Sequence, residues 1–204
     1  MRVICVLRSG GDYGPDHVIR LRDQVARFST LPFVALSDVP VPGVETIPLQ
    51  YDWPGWWSKL NLFSPSLSGP LLYLDLDSAI VGDLSDMAGV GRLAIMRDVY
   101  RRDGLQSSVM FLPESDRAAI WRQWIKAPAA WMQAFRKGGD QAFLESCGLR
   151  WALWQDDLPG QVVSWKVHVR KAERRDREFG NGNLPEGARV VVFHGQPRPW
   201  SVGW

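Results

Sequence analysis

The sequence has little of several features that define common classes of protein. It contains only two cysteines, Cys5 and Cys147, so it indicates neither a disulfide framework nor a cysteine-based zinc site. No apolar run is long enough to span a bilayer. The apolar stretch at the N-terminus is also too short for a signal peptide. We therefore expect a protein of the cytoplasm that has no transmembrane segment.

An excess of charge of one sign is also missing. The 24 basic and 22 acidic residues leave a formal net charge of +2. Such a balance argues against a protein that binds nucleic acid through a strong positive field. The segment 170–178 is rich in charge but mixed in sign, which favours a solvent-exposed face over a phosphate or membrane-surface patch. We therefore expect no nucleic-acid partner.

The composition that remains is that of a globular protein, with 46% hydrophobic and 23% charged residues. A chain of 204 residues is long enough for a proper core, so we predict a single domain over residues 1–204. Tryptophan is unusually frequent, with 11 residues, most of which we expect to fill the core. For Trp53, Trp56 and Trp57, which lie close together beside Pro54 and Gly55, two hypotheses stay open: packing in the core, or stacking on a sugar.

Strand-like and helix-like patterns alternate through the first half of the chain. Residues 3–7, 33–36 and 71–74 are short apolar runs typical of buried strands, and residues 16–28 carry apolar side chains at helical spacing. Further strands are predicted over 44–49, 93–96, 109–112, 162–169 and 190–193, and further helices over 57–63, 116–125 and 140–146. This alternation predicts an α/β fold with a mostly parallel central sheet.

The most informative segment is the apolar run 71–74, which leads directly to Asp75 and Asp77. Side chains two residues apart on a strand point the same way, so we expect these two carboxylates to converge. Paired carboxylates suit a hard divalent cation such as Mg²⁺ or Mn²⁺. In open α/β sheets ligands bind outside the carboxyl ends of the strands. Residues 8–13 follow the first strand and should lie at the same edge.

Six short segments, in this order, resemble the nucleotide-sugar glycosyltransferases of the GT-A fold. They are residues 8–13, 57–60, 73–77, 105–112, 139–144 and 192–200. The likeness is greatest to the glycogenin and lipopolysaccharide-galactosyltransferase family and covers most of the chain. It implies one Rossmann-like GT-A domain with a C-terminal tail over the active site. It also implies a metal-dependent enzyme that moves a sugar from a nucleoside-diphosphate sugar, a UDP-sugar in that family, to an acceptor that the sequence does not identify.

The resemblance also implies roles for single residues. Asp75 and Asp77 match the Asp-x-Asp motif that holds Mn²⁺, or Mg²⁺, on the diphosphate, and His194 matches a C-terminal histidine that completes the metal site. Asp140 and Gln141 match the start of an Asp-Gln-Asp segment beside the transferred sugar, which makes them the candidate catalytic residues. Asp140 either bonds sugar hydroxyls or deprotonates the acceptor alcohol.

The remaining candidates are expected to bind the donor. Lys59 matches a basic residue that reaches the donor sugar, and Gln106 stands where the family has an asparagine that touches it. Ser108 replaces a glycine, and Arg198 stands where a lysine contacts the diphosphate. The complete set of predicted donor-binding residues is Arg8, Asp12, Tyr13, Lys59, Asp75, Gln106, Ser108 and Arg198.

Two functions from other classes stay open. Haloacid-dehalogenase phosphatases also place Asp-x-Asp after an apolar strand, with a Thr or Val where this chain has Ala79, and Asp156 and Asp157 resemble their later acidic pair. A non-catalytic module that binds nucleotide sugars or glycans is the second alternative, because Ala142 replaces the last aspartate of the Asp-Gln-Asp pattern.

Three candidate residues also have plain structural alternatives. His194 taken alone would be a structural histidine, and Lys59 on a short helix would face solvent. Asp140 precedes an apolar run and is the residue type that favours a helix N-cap.

Overall fold

The structure, a computed structural model, describes residues 1–172 and 179–204. Most of the charged segment 170–178 therefore lies outside the described residues. The strands are β1 (Arg2–Leu7), β2 (Phe33–Ser37), β3 (Glu45–Pro48), β4 (Leu71–Leu74), β5 (Ser78–Ile80), β6 (Ala94–Arg97), β7 (Leu105–Leu112), β8 (Ala152–Leu153), β9 (Val162–Ser164) and β10 (Val190–Val192).

The α-helices are α1 (Pro15–Phe28), α2 (Ser85–Ala88), α3 (Glu114–Trp124), α4 (Pro128–Ala134), α5 (Gly139–Ser146) and α6 (Trp154–Asp157). Two 3₁₀-helices cover Gly55–Phe63 and Pro199–Val202, and a π-helix covers Trp165–Val169. None of the described helices combines the length and the apolar character needed to cross a membrane.

Seven strands form the central sheet in the order β3-β2-β1-β4-β7-β6-β8. The strands β3, β2, β1 and β4 run parallel, as do β6 and β8, whereas β7 is antiparallel to both of its neighbours. The predicted α/β fold with a mostly parallel sheet is confirmed. A second sheet, β5-β10-β9, was not predicted as a separate layer, because its strands have only three residues each and carry no clear periodicity.

Both faces of the central sheet are buried, which explains its uninterrupted apolar strands. Along β1, Val3, Cys5 and Leu7 pack in the cluster that also holds the apolar side of α1. The alternate residues Ile4 and Val6 pack in the cluster on the opposite face, with the 3₁₀-helix Gly55–Phe63 and with α3 and α5. The core therefore holds the carboxyl edge of β1 and β4 in place, and the candidate site lies at that edge.

The structure departs from the predicted elements at several positions. The short elements β5, α2, β8 and α6 were not predicted, and two further departures involve longer segments. The strand predicted over 162–169 ends at Ser164, whose side chain accepts a hydrogen bond from the Val167 N–H at the start of the π-helix. The helix α4 was not predicted. None of its residues is fully buried, and Trp131 and Met132 pack only partly buried against the core.

The tryptophan cluster divides into buried and exposed members. Trp53 and Trp57 are buried, and both contact the ring of Trp124, with centroid distances of 5.1 and 5.5 Å. The core-filling hypothesis is therefore right for these two residues. Trp56 is 54% exposed and does not share their role.

Candidate active site

The two aspartates of the Asp-x-Asp segment lie in a turn that follows β4. The strand ends at Leu74, and the Ser78 N–H donates to the Asp75 carbonyl at 3.0 Å. The Asp75 N–H donates to the Ser108 carbonyl of β7 at 2.8 Å, which ties the turn to the neighbouring strand. The carboxylates of Asp75 and Asp77 border the same cavities, but the turn brings them there rather than the strand alternation assumed from the sequence.

Two adjoining cavities open at this edge of the sheet, and we call them the smaller cavity and the larger cavity. The smaller cavity has a volume of about 250 Å³ and the larger cavity about 570 Å³. Both are bordered by Trp56, Lys59, Asp75, Asp77 and Gly195. Of the other predicted site residues, the smaller cavity is bordered by Gln106, Ser108, Asp140, Gln141 and His194, and the larger cavity by Arg8, Asp12, Tyr13 and Arg198. Every residue that the sequence analysis named for the site therefore borders at least one of the two cavities.

A buried ion-pair network forms the floor of the smaller cavity. The Lys59 Nζ lies 3.1 Å from Asp75 Oδ1 and 3.3 Å from Asp140 Oδ2. It also donates to Ser107 Oγ at 3.0 Å, and the Ser107 hydroxyl donates to Asp140 Oδ2 at 2.6 Å. Burial acts to lower the pKa of Lys59, but Asp140 and Asp75 outweigh it, and the pKa is raised. A charged Lys59 therefore holds two carboxylates side by side, and Tyr73 donates its hydroxyl to Asp75.

The solvent-facing hypothesis for Lys59 is wrong. Lys59 lies on the 3₁₀-helix Gly55–Phe63, whose Leu60 and Phe63 are buried in the core. With these anchors the helix directs Lys59 into the site, where its side chain is 12% exposed.

The N-cap hypothesis for Asp140 is also wrong. The helix α5 begins at Gly139, with Gly138 as its N-cap, and the Asp140 side chain bonds Ser107 and Lys59 instead. Gly139 has φ +63°, and a Cβ there would lie 2.8 Å from Trp56 Nε1. Glycine therefore allows α5 to start against the indole and aims Asp140 into the cavity.

Three consecutive polar side chains of β7 belong to this site. Gln106 Nε2 donates to Ser108 Oγ at 2.5 Å, and the Ser108 N–H donates to Gln106 Oε1 at 3.0 Å. In a regular strand Ser107 would point to the other face, but the pairing with β6 is irregular here. Ile95 lies opposite Met110, whereas the next residue of β6 lies opposite Gln106. This interruption of the ladder explains how Ser107 reaches the network beside its two neighbours.

The C-terminal tail closes one side of the larger cavity. Arg198 donates to Asp77 Oδ2 at 2.5 Å and to Asp12 Oδ2 at 3.0 Å, and its guanidinium lies 4.9 Å from the centre of the Tyr13 ring. The Tyr13 hydroxyl donates to the same oxygen of Asp77 at 3.1 Å. Burial and the neighbouring Asp75 raise the pKa of Asp77 to about 6, although Arg198 opposes the shift. At the far end of this cavity Arg8 is held in place by an ion pair with Asp38.

His194 follows β10 and borders the smaller cavity, but its ring is engaged elsewhere. Its Nε2 lies 2.7 Å from Ser164 Oγ. Burial and the nearby Lys166 lower the pKa of His194 to about 4, so the imidazole is neutral at neutral pH. Among residues 1–172 and 179–204, no three or more His, Cys, Asp or Glu side chains are grouped so that they would hold a metal ion. The structure thus brings Asp75 and Asp77 together and leaves His194 apart from them.

The predicted site residues did not include Tyr73 and Ser107, and Trp56 was named only within the tryptophan cluster, where sugar stacking stayed open. Tyr73 precedes Asp75 by two residues, so strand alternation offered a signal for it. Trp56 precedes Lys59 by three residues, and side chains at this spacing align on a 3₁₀-helix but less closely on an α-helix. No signal pointed to Ser107, because its position depends on the irregular pairing of β7.

Comparison with known proteins bears on the fold. The sequence matches no known family model and no curated protein. Among solved structures it is similar to the galactosyltransferase LgtC in complex with donor and acceptor sugar analogues, with 14% identity, 98% of this chain and 89% of that chain covered, and a TM-score of 0.65. It is similar to the glycosyltransferase GlyE of Streptococcus pneumoniae TIGR4, with 17% identity over 98% of this chain and 56% of that chain, and a TM-score of 0.70.

The mouse xyloside xylosyltransferase 1 in its apo form is a more distant neighbour. It is 11% identical over 96% of this chain and 97% of that chain, with a TM-score of 0.54. At these identities the likeness concerns the backbone. The chain therefore has the GT-A fold of these glycosyltransferases, as the resemblance of its motifs implied.

Proposed function

We propose that the protein is a glycosyltransferase that moves a sugar from a nucleoside-diphosphate sugar, in particular a UDP-sugar, to an acceptor hydroxyl. One observation carries this proposal: Asp75 and Asp77 stand where two adjoining cavities of different size meet. The larger cavity, about 570 Å³, is in the range of pockets for whole small-molecule ligands. The smaller cavity, about 250 Å³, is below that range and suits a single sugar ring. A donor that fills both places its diphosphate at the two aspartates.

A divalent cation, Mn²⁺ or Mg²⁺, fits the chemistry of this junction. Asp75 and Asp77 offer the hard oxygen ligands that such ions prefer, and His194 is a neutral imidazole on the same cavity wall. Asp75 and Asp77 would hold the cation, and His194 would join them only if its ring left Ser164. The cation supplies Lewis-acid charge to the departing diphosphate. Arg198 is placed to add a bidentate contact to phosphate oxygens when it leaves Asp77.

The polar residues of the smaller cavity would orient the sugar. Gln106 and Gln141 present amides that bond hydroxyl groups, and Asp140 presents a carboxylate whose position is fixed by Lys59 and Ser107. Transfer forms a bond between the acceptor oxygen and the anomeric carbon. It breaks the bond from that carbon to the diphosphate oxygen, and the hydroxyl proton leaves with the diphosphate or passes to solvent.

The two alternative functions differ in what supports them. A phosphatase of the haloacid-dehalogenase type would need its second acidic pair at the site. Asp156 and Asp157 instead form ion pairs with Arg97 and Arg92, at 2.6 and 2.7 Å, and neither borders the two cavities. A non-catalytic binding module fits the same cavities, so turnover is the property that separates it from an enzyme. The single domain over residues 1–204 and the cytoplasmic location stay predictions.

A screen of nucleoside diphosphates and nucleotide sugars, with Mn²⁺, Mg²⁺ or EDTA, tests the proposal. A ligand that binds only the native state adds about 2.7 kcal/mol at a hundredfold excess over its Kd. That corresponds to a rise in Tm of roughly 5–10 °C for a chain of this size. We expect metal-dependent stabilisation and release of the nucleoside diphosphate from one donor. Both should be lost in Asp77→Ala and kept in the control Asp103→Ala, whose exposed carboxylate borders neither cavity.

Other outcomes would assign the protein elsewhere. Phosphate release from simple monoesters would favour the phosphatase. Nucleotide-sugar binding without turnover for every acceptor and for water would favour the module.

A further inference from the structure

Arg20 contacts the turn that carries Asp75 and Asp77, although it borders neither cavity. It belongs to α1, and its Nη2 donates to the carbonyls of Leu76 and Ser78 at 2.6 and 3.0 Å. Leu76 is the single residue between the two aspartates, and among the described residues Arg20 is the only donor to its carbonyl. The orientation of this peptide group determines how the two carboxylates point relative to each other. Arg20 therefore holds the backbone on which their convergence depends.

Two neighbouring side chains fix the guanidinium of Arg20. Gln24 lies one turn further along α1, and its Oε1 accepts from Arg20 Nη1 at 3.4 Å and from the Ile80 N–H at 3.1 Å. The indole of Trp200, in the C-terminal tail, lies against the guanidinium, with 5.6 Å from Cζ to the ring centre. The guanidinium thus contacts both the tail and the turn, and its N–H groups stay directed at the carbonyls of the turn.

The charge of Arg20 is not neutralised by a direct ionic partner. Among the described residues it forms no ion pair, whereas Lys59 and Arg198 each pair with aspartates of the site. Burial lowers the pKa of Arg20, and the charge of Asp77 opposes this shift. An arginine nevertheless stays charged in a protein. A partly buried charge is unfavourable unless hydrogen bonds compensate it, so the need to fill space does not explain an arginine here, whereas its hydrogen bonds to the turn do.

We propose that Arg20 is a positioning residue of the cation site, which fixes the turn so that the carboxylates of Asp75 and Asp77 meet on one divalent cation. The inference rests on the proposed glycosyltransferase function and adds to it a residue that touches neither the donor nor the cation. Partners that orient metal ligands from outside the coordination sphere typically contribute about ten- to hundredfold to metal affinity. Because Arg20 holds the backbone rather than the carboxylates themselves, we expect an effect of about tenfold, at the lower end.

Binding of Mn²⁺ in the presence of UDP, measured from the loss of the EPR signal of free Mn²⁺, tests this role. Arg20→Met keeps much of the side-chain bulk but removes the donors, and it should weaken Mn²⁺ binding about tenfold. Arg20→Lys keeps a charged donor without the planar guanidinium, so it should recover part of this loss. Arg22→Met and Arg22→Lys are the matched controls. Arg22 lies on the same helix and also donates to a loop carbonyl, that of Gly43 at 2.7 Å, but it borders neither cavity.

Urea unfolding of the same variants separates positioning from a merely structural role. A structural role would lower the free energy of unfolding and leave the Mn²⁺ affinity of the folded protein unchanged. The inference is overturned if folded Arg20→Met binds Mn²⁺ as tightly as the wild type, or if Arg22→Met weakens binding equally. If Arg20→Met does not fold, the comparison of Arg20→Lys with Arg22→Lys decides by the same criterion.

The wild-type protein distinguishes a failure of this inference from a failure of the proposed function. A wild type that binds no Mn²⁺ with UDP overturns the proposed cation site, and the role of Arg20 with it. A wild type that binds Mn²⁺ with an affinity independent of Arg20 rejects the positioning role alone and leaves the glycosyltransferase proposal standing.

Discussion

Replacing Lys59 with methionine tests the buried network at the floor of the smaller cavity. Lys59 is the cation between Asp75 and Asp140, and the side chains of the three residues are 12%, 21% and 7% exposed. Methionine keeps most of the side-chain length but removes the charge, so two adjacent carboxylates lose their compensation. We expect Lys59→Met to lower the free energy of unfolding at pH 7 and to impair use of the donor sugar more than binding of the bare diphosphate.

The size of the effect follows from burial. Removing one partner of a buried ion pair typically costs about 3–5 kcal/mol, because an uncompensated charge is left behind. The partial exposure of Asp75, and the hydroxyls of Tyr73 and Ser107 on the two carboxylates, place this site at the lower end. We therefore expect a loss of about 3 kcal/mol, which corresponds to a fall in Tm of roughly 6–12 °C.

Urea unfolding followed by tryptophan fluorescence measures the loss directly. The double variant Lys59→Met/Asp140→Asn should recover part of it, because one of the two carboxylates is then neutral, and a double-mutant cycle gives the coupling. Lys126→Met is the control, since Lys126 is exposed and such surface changes usually stay within about 0.5 kcal/mol. The reasoning is refuted if Lys59→Met is no less stable than Lys126→Met, or if the double variant simply adds the two single losses.

Three further predictions concern the two cavities. Because Asp77 has a pKa raised to about 6, the cation-free folded protein keeps a proton that the unfolded chain loses near pH 4. The free energy of unfolding of the cation-free protein should therefore fall as pH rises from about 4 to 6. In Asp77→Asn this fall should be smaller, as measured by urea unfolding in the presence of EDTA. Gln106→Ala should weaken a nucleotide sugar roughly fivefold in competition binding and leave the nucleoside diphosphate unchanged, because one hydrogen bond contributes about 1 kcal/mol. Arg198→Ala should weaken the diphosphate about tenfold relative to the nucleoside and speed proteolysis near Gly195 with UDP and Mn²⁺ present.

Each of these predictions has a result that contradicts it. If the stability of Asp77→Asn falls between pH 4 and 6 as steeply as that of the wild type, Asp77 is not the group that titrates in this range. Equal losses for nucleotide sugar and diphosphate in Gln106→Ala would place its side chain away from the sugar. Cleavage near Gly195 that is as slow in Arg198→Ala as in the wild type would show that Arg198 does not hold the tail.

The strands β1 and β4 of the central sheet were predictable because each is a continuous apolar run. The runs at Val3 to Leu7 and Leu71 to Leu74 are buried on both faces, so their apolar character alone identified them. Strands were predicted at β9 and β10, but β5, the grouping of these three strands in a second sheet and the π-helix Trp165–Val169 were not. Three-residue strands have too little periodicity, and the chain turns at Ser164 through a local side-chain hydrogen bond that an apolar pattern does not reveal.

The place of the candidate residues around the two cavities could be predicted from their position after strands and from their motifs, whereas their mutual contacts could not. Asp75 and Asp77 were expected to converge, and they do, but through a turn anchored on Ser108 rather than through strand alternation. The link from Lys59 through Ser107 to Asp140 depends on an interruption of the ladder in β7, which leaves no mark in the sequence. The contact of Arg198 with Asp77 joins residues 121 positions apart and follows only from the fold.

The most direct test of the proposed function is a crystal grown with UDP and Mn²⁺, with anomalous data collected at the manganese edge. The geometry predicts a manganese peak within about 2.0–2.6 Å of carboxylate oxygens of both Asp75 and Asp77. It further predicts the uridine in the larger cavity and the terminal phosphate turned towards the smaller one. A nucleotide bound without manganese at these two carboxylates, or bound outside both cavities, would contradict the proposed donor site.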